Sequence, residues 1–145
     1  MTLPKSVVKL KKDHIEYTSN VERTKYLLSE LTRAALRDVG KFITKRTRQV
    51  YQTRLKKHSG RLAKNIQYWV RKRDADLQIG YKPGGFYGGF FELGTSQHPK
   101  VGAMQETVMN NINEIRDIQG KYLSAIEEEQ KALRLIDERE EISDD

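Results

Sequence analysis

The 145-residue chain has no cysteine, so neither a disulfide framework nor a thiolate metal site is open to it. It has no apolar run near the roughly 18 residues that mark a membrane span. Its opening, "MTLPKSVVKLKKDHIEY", lacks the continuous apolar stretch of a secretory signal, and the expectation is a protein not exported by that route. The three histidines, His14, His58 and His98, are spaced so that no two share a helical face, and without cysteine they complete no zinc site. Surface positions are the plainer reading. "GYKPGGFYGG" lacks the Lys-Ser/Thr ending of a phosphate-binding P-loop and is not a dinucleotide fingerprint. Of the acids in the middle of the chain, Asp74 and Asp76 stand where a hairpin turn favours Asp. No catalytic residue, metal or cofactor is expected, and the chain reads as non-enzymatic.

Acidic residues are missing over one long span. Residues 41–73 hold twelve Lys/Arg and no Asp/Glu. The net charge of +7 hides a division: residues 1–100 carry 22 Lys/Arg against 8 Asp/Glu, a net +14, and residues 101–145 carry 5 against 12, a net −7. A field of this kind attracts phosphates or acidic protein surfaces and says little about fold.

What is present is the material of one α+β domain. The length suits a single compact body with appendages. "SVVKLKKDHIEYTS" is β-branched and aperiodic, which predicts a strand or short hairpin around Val7 to Tyr17 that pairs with another strand or a neighbouring subunit. From Asn20, a suitable N-cap, Leu28, Leu31, Ala35, Val39, Phe42, Arg46 and Val50 recur at spacings of three and four, one apolar stripe broken only at Arg46, and predict a long amphipathic helix. Unbroken to Lys57 it is about 57 Å long, with Gly40 as a place for a bend. Ser59 and Gly60 punctuate its end. Two extended runs, Ile66 to Arg73 and Asp76 to Tyr81, joined at "RDAD", predict a β-hairpin. "FYGGFFEL" suits one or two helical turns stopping at Gly94. From Ala103 a helical period returns through Met104, Val108, Ile112 and Ile115, is interrupted at Gly120, and continues through Leu123, Ile126, Leu133 and Ile136. The expected architecture is a long N-terminal helix packed on a small antiparallel sheet, with a C-terminal helix. The expected division is an α+β domain over 1–120 and an acidic helical extension over 121–145 with a frayed end.

The basic block offers Lys41, Lys45 and Arg48 on one helical face, and Arg61, Lys64, Arg71, Lys72 and Arg73 near Tyr68 and Trp69. Cations interleaved with rings suit nucleic acid, through phosphate neutralisation and base stacking. A solvated face with core aromatics is the equal alternative. A free nucleic-acid-binding protein using residues 41–73 is therefore one functional reading. An inhibitor or chaperone that recognises an acidic protein is another.

A further pattern is ordered along the chain: "SGRL" at Ser59, Gly60, Arg61 and Leu62 after the long helix, a strand pair, then Tyr87, Phe91, Glu92, Leu93, Gly94 and Thr95, with Pro99 in the following loop and a closing helix. This order resembles the tail-completion or head-to-tail joining (neck, connector) proteins of long-tailed bacteriophages, over roughly residues 20–120. Their typical pattern is Thr-Gly-x-Leu, a strand pair, a Tyr-rich turn with Glu-Phe-Gly-Thr, and a proline-containing loop. Here "KVGAMQE" replaces the family's usual aromatic and second proline. The resemblance implies a homo-oligomeric ring, commonly a hexamer, at the end of the tail tube that meets the head. DNA passes through its lumen, and head-completion and tail-tube proteins are its partners, with no small-molecule substrate and no membrane. It implies a place in the virion, and in the host cytoplasm during assembly. Within it, Phe86, Tyr87, Glu92, Gly94 and Thr95 are the expected subunit or partner interface, with Phe90 and Phe91 pointing inward, although all four rings also suit a core. Glu92 is expected to accept backbone N–H bonds or to pair with Arg61. Lys41, Lys45, Arg48, Arg71, Lys72 and Arg73 are the candidate contacts to channel DNA or an acidic partner, and the acidic end is a candidate to dock on a basic surface.

Overall fold

From Val21 to Arg54 the chain is one uninterrupted helix of 34 residues, α1, about 51 Å long at 1.5 Å per residue. The computed structural model describes residues 3–12, 14–55 and 60–141. Ser59, of the "SGRL" motif, lies outside them, as does the end of the helix expected at Lys57. Asn20 stands immediately before α1, and its carbonyl accepts the first helical bond, from the Thr24 N–H at 2.9 Å. The buried stripe runs through Leu27, Leu31, Ala34, Ala35, Val39, Ile43, Thr47 and Tyr51. The expected stripe, broken at Arg46, is out of phase toward both ends: Leu28 is exposed with Leu27 taking the inward position, and Ile43, Thr47 and Tyr51 are buried in place of Phe42, Arg46 and Val50.

Gly40 does not interrupt α1; it lies buried within the helix. A Cβ at this position would collide with the ring of Tyr68. The glycine lets the strand that carries Tyr68 approach the helix closely, and that gain outweighs the propensity cost of about 1 kcal/mol relative to Ala.

Contacts divide the chain into two compact units, Met1–Ala35 with Gly120–Asp145, and Leu36–Gln119. Residues from Gly120 onward are thus grouped with the N-terminal segment. In this first unit, β1 (Val7–Lys12) and β2 (Ile15–Ser19) form an antiparallel hairpin, with a register shift between Val8 and Leu10. Only Ser19 of β2 is buried, while Ile15 and Tyr17 are exposed. Among the described residues, the unit's buried hydrophobic side chains are Leu27, Leu31, Ala34 and Ala35 of α1 together with Tyr122, Ala125, Ala132, Leu135 and Ile136. Arg23 of α1 pairs with Glu129 at the start of α6 (Glu129–Glu141). The C-terminal stripe also differs from expectation, since Leu123 is exposed while Tyr122 is buried.

In the second unit the rest of α1 is followed by a short helix α2 (Arg61–Lys64), then β3 (Ile66–Arg71) and β4 (Asp76–Tyr81), paired in register from Ile66↔Tyr81 to Arg71↔Asp76. Arg71 bonds to Asp76 and, at 3.1 Å, to Asp74, so both acids serve the turn as the sequence suggests. A 3₁₀ turn (Pro83–Gly85) leads to α3 (Gly88–Leu93), and α4 (Ala103–Asn110) follows a loop. The core here is Tyr51, Leu62, Ala63, Ile66 and Ala103, against which Ile79, Tyr81, Tyr87, Phe91, Val101 and Met104 pack. The helical run after Ala103 breaks at Asn111, not at Gly120, which lies inside α5 (Ile112–Ser124).

Candidate functional site

The segment 86–104 is built around one carboxylate. Tyr51, near the end of α1 and 1% exposed, donates its hydroxyl proton to Glu92 Oε1 at 2.7 Å. The same oxygen accepts the backbone N–H of Met104, also at 2.7 Å. Because the Tyr51 proton is directed at Glu92, the Tyr81 hydroxyl, 2.6 Å away, donates to the Tyr51 oxygen. The result is a relay from Tyr81 to Tyr51 to Glu92. Burial, first, and then the bonds to Tyr81 and Glu92 push the Tyr51 hydroxyl well above the ordinary phenol range. Burial also pushes Tyr81 up, to about 12.

Met104 lies in the first turn of α4, where N–H groups have no helical acceptor. Glu92 therefore caps α4 from another helix, and its charge favours the positive end of the helix dipole. Of the two roles expected of Glu92, acceptance of a backbone N–H is the one observed. Arg61 is exposed and is not among the partners of Glu92 within the described residues. Among the described residues, two cations reach α4: Arg54 bonds to Glu106 at 2.6 Å and to the Val101 carbonyl before the helix at 3.2 Å, and Lys100 bonds to Gln105 at 2.9 Å.

Gly94 takes φ +79 directly after α3, a region open mainly to glycine. Thr95 then closes a turn: its hydroxyl accepts the N–H groups of Gln97 and His98 at 3.3 and 3.1 Å, and its own N–H donates to the His98 carbonyl at 2.8 Å. The Val101 N–H returns to the Phe91 carbonyl at 2.8 Å. Glu-Leu-Gly-Thr is thus a helix end, a sharp turn and a remote cap in four residues.

α3 has two apolar faces. Tyr87 and Phe91 sit edge to face with centroids 6.4 Å apart and pack on the core. A Cβ at Gly88 would collide with the Tyr81 ring, so this glycine serves close approach within the chain. The opposite side presents Phe86, two residues before α3, with Phe90 and Leu93 of the helix, at 74%, 55% and 80% exposure. These positions are spaced i, i+4 and i+7, one helical face. Phe90 was expected to point inward with Phe91. It points out, because both cannot face the core from adjacent positions of a single helix. Of the expected pair Phe86 and Tyr87, Phe86 is exposed and Tyr87 is half-buried.

In α2, Gly60 takes φ +69 immediately before the helix and Leu62 is buried in the core. The six candidate cations separate into two places. Lys41, Lys45 and Arg48 line one cavity with Lys82, a residue that the sequence did not single out. Arg71, Lys72 and Arg73 lie at the hairpin turn, where Arg71 is occupied by Asp74 and Asp76. Tyr51 and Tyr81 were also missed: nothing local marks them, since their bonds span 30 and 41 positions. Among the described residues, no group of three or more His, Cys, Asp or Glu is placed to hold a metal ion, and no helix is long and apolar enough to cross a membrane. No known protein family, curated protein or solved structure matches the chain.

Proposed function

We propose that this protein is a structural, non-enzymatic component of a long-tailed bacteriophage, which completes the tail end and joins tail to head as a homo-oligomeric ring, commonly a hexamer, around the DNA channel. The observation that carries the reading is the outward face of Phe86, Phe90 and Leu93, set on a short helix whose position is fixed from behind by Glu92 and Tyr51. Three large apolar side chains on one exposed face are a surface to be covered. Covering them contributes on the order of 1.5–3 kcal/mol each when burial is complete.

A ring contact is heterologous, with a different patch on each side of the subunit. A rigid turn that projects apolar side chains supplies one such patch, and the hairpin of β1 and β2, with Ile15 and Tyr17 exposed, supplies a second element that gains from a partner, since a lone two-stranded ribbon is marginal in water. The order of motifs from "SGRL" to Pro99 supports the same assignment. In this role head-completion and tail-tube proteins bind the two ends of the ring, and DNA passes without sequence recognition. The protein then resides in the virion, after assembly in the host cytoplasm.

The second reading, a free nucleic-acid-binding protein using residues 41–73, is favoured by the cluster of Lys41, Lys45 and Arg48. Titration of duplex DNA at several salt concentrations separates the two. A duplex binder loses affinity with a log–log slope of about −0.9 per phosphate neutralised, whereas a connector binds DNA weakly and forms rings visible by negative-stain microscopy. Tight, steeply salt-dependent binding by a protein that never forms rings would overturn the assembly reading.

A further inference from the structure

Between α1 and β3 lies an open cavity of about 220 Å³. The charged part of its lining is of one sign, with Lys41, Lys45 and Arg48 from successive turns of α1 and Lys82 just after β4; Thr44, Ile66, Gln67 and Tyr68 complete it. No Asp or Glu lines it. The size is below the roughly 300 Å³ at which sites for drug-sized ligands begin, and several times the about 30 Å³ share of one water in the liquid. It suits a small, hydrated polyatomic anion.

Two features distinguish it from a casual meeting of surface lysines. Arg48 is held in place: its Nε donates to the Ala63 carbonyl at 3.1 Å and its Nη2 to the Ile66 carbonyl at 2.8 Å. Those bonds use two of its five N–H groups and neutralise none of its charge, so a fixed cation with spare donors remains. Thr44, 5% exposed and part of the same lining, has a buried hydroxyl that makes no hydrogen bond. A buried hydroxyl without a partner is costly; the Thr44 oxygen has no exposed surface, so an acceptor in the cavity relieves it only where the Thr44 side chain turns toward the cavity.

We propose that this cavity is a phosphoryl-anion site, taking one phosphate group, either from a nucleic-acid backbone or as free phosphate. Arg48 supplies the oriented fork and the three lysines supply mobile charge, with Thr44 a neutral donor once its side chain turns toward the anion; this combination matches a tetrahedral oxyanion. The inference rests on the cavity alone and not on the ring reading, because the lining comes from one chain.

The test is a titration of the full chain with sodium phosphate and, separately, with a short DNA duplex, followed by amide chemical shifts, with sodium chloride at matched ionic strength as the reference. Saturable shifts centred on Thr44, Lys45, Gln67 and Tyr68 are expected. If duplex and phosphate both produce them, the backbone phosphodiester is a source; if phosphate alone does, the site takes the free anion. The Lys45→Gln/Lys82→Gln protein should bind at least about tenfold more weakly, two charge-assisted bonds being lost. Lys72→Gln/Arg73→Gln removes the same charge at the hairpin turn and should change affinity less than about twofold, as exposed charges act weakly at a distance. Both pairs of substitutions are at exposed side chains, and far-UV circular dichroism verifies folding. Equal weakening by the two double variants, or shifts that chloride reproduces, would overturn the proposal.

Discussion

The Tyr51 hydroxyl donates to Glu92 Oε1 at 2.7 Å, joining the end of α1 to a carboxylate 41 positions later in the chain. Through the same oxygen the bond reaches the first turn of α4, so three helices of one unit meet at one acceptor. Here the acid of "ELGT" has a physical explanation that needs no substrate: it caps one helix, fixes another, and leaves the outer face of α3 free.

Coupling between Tyr51 and Glu92 is the first prediction. A double-mutant cycle of Tyr51→Phe and Glu92→Gln, read by denaturant unfolding, should give an interaction energy of about 1 kcal/mol or more, because a buried hydroxyl bonds directly to a charged acceptor. The parallel cycle of Arg61→Gln with Glu92→Gln should be additive within about 0.5 kcal/mol. Coupling to Arg61 and none to Tyr51 would contradict the observed arrangement.

Gly40 offers a prediction in which two effects oppose. Helix propensity alone says that Gly40→Ala stabilises by about 1 kcal/mol. The Cβ would enter the space of the Tyr68 ring, with Leu77 close behind, and overpacking costs about 1–3 kcal/mol. The net expectation is a lower thermal midpoint, and Gly40→Ala combined with Tyr68→Ala should destabilise less than the sum of the two single changes. A higher midpoint for Gly40→Ala alone would show that the contact yields easily.

Alkaline titration tests the tyrosine relay. The pKa of Tyr81 is raised from 10.0 to about 12 in the folded chain, and a group of this kind favours the folded state below its unfolded pKa. Its contribution is complete below pH 10 and is lost as pH rises from 10 toward 12. Followed by phenolate absorbance, Tyr51 and Tyr81 should be among those of the seven tyrosines that stay un-ionised at pH 10, and Tyr81→Phe should lower the number of such tyrosines by one. Seven independent titrations near pH 10 would dismiss the relay.

The sequence carried the fold class, the existence of one long helix α1 and the hairpin of β3 and β4, because each is written in a local period. Phase was harder. At Leu27 and Leu28 two adjacent leucines offer the same apolar signal, and only the packing of the first unit chooses Leu27. Gly40 and Gly120 read as breaks because glycine weakens helices in isolation, whereas Gly40 is required by a tyrosine 28 positions away in the sequence. The same holds for the site. Glu92, Gly94 and Thr95 were legible as a turn, but Tyr51, Tyr81 and Lys82 belong to it or to the neighbouring cavity only through long-range pairing. Adjacent Phe90 and Phe91 both read as core, yet a single helix turns one outward.

The central claim is that the face of Phe86, Phe90 and Leu93 fits one subunit to the next. The most direct measurement is negative-stain microscopy with mass measurement of the protein mixed with purified tail tubes, comparing the natural chain with Phe86→Ser/Leu93→Ser. Both side chains are more than 70% exposed, so the variant should stay folded while losing on the order of 1–3 kcal/mol per contact. The account predicts rings on the tube ends for the natural chain and soluble, folded subunits for the variant. Rings formed equally well by both proteins would contradict it.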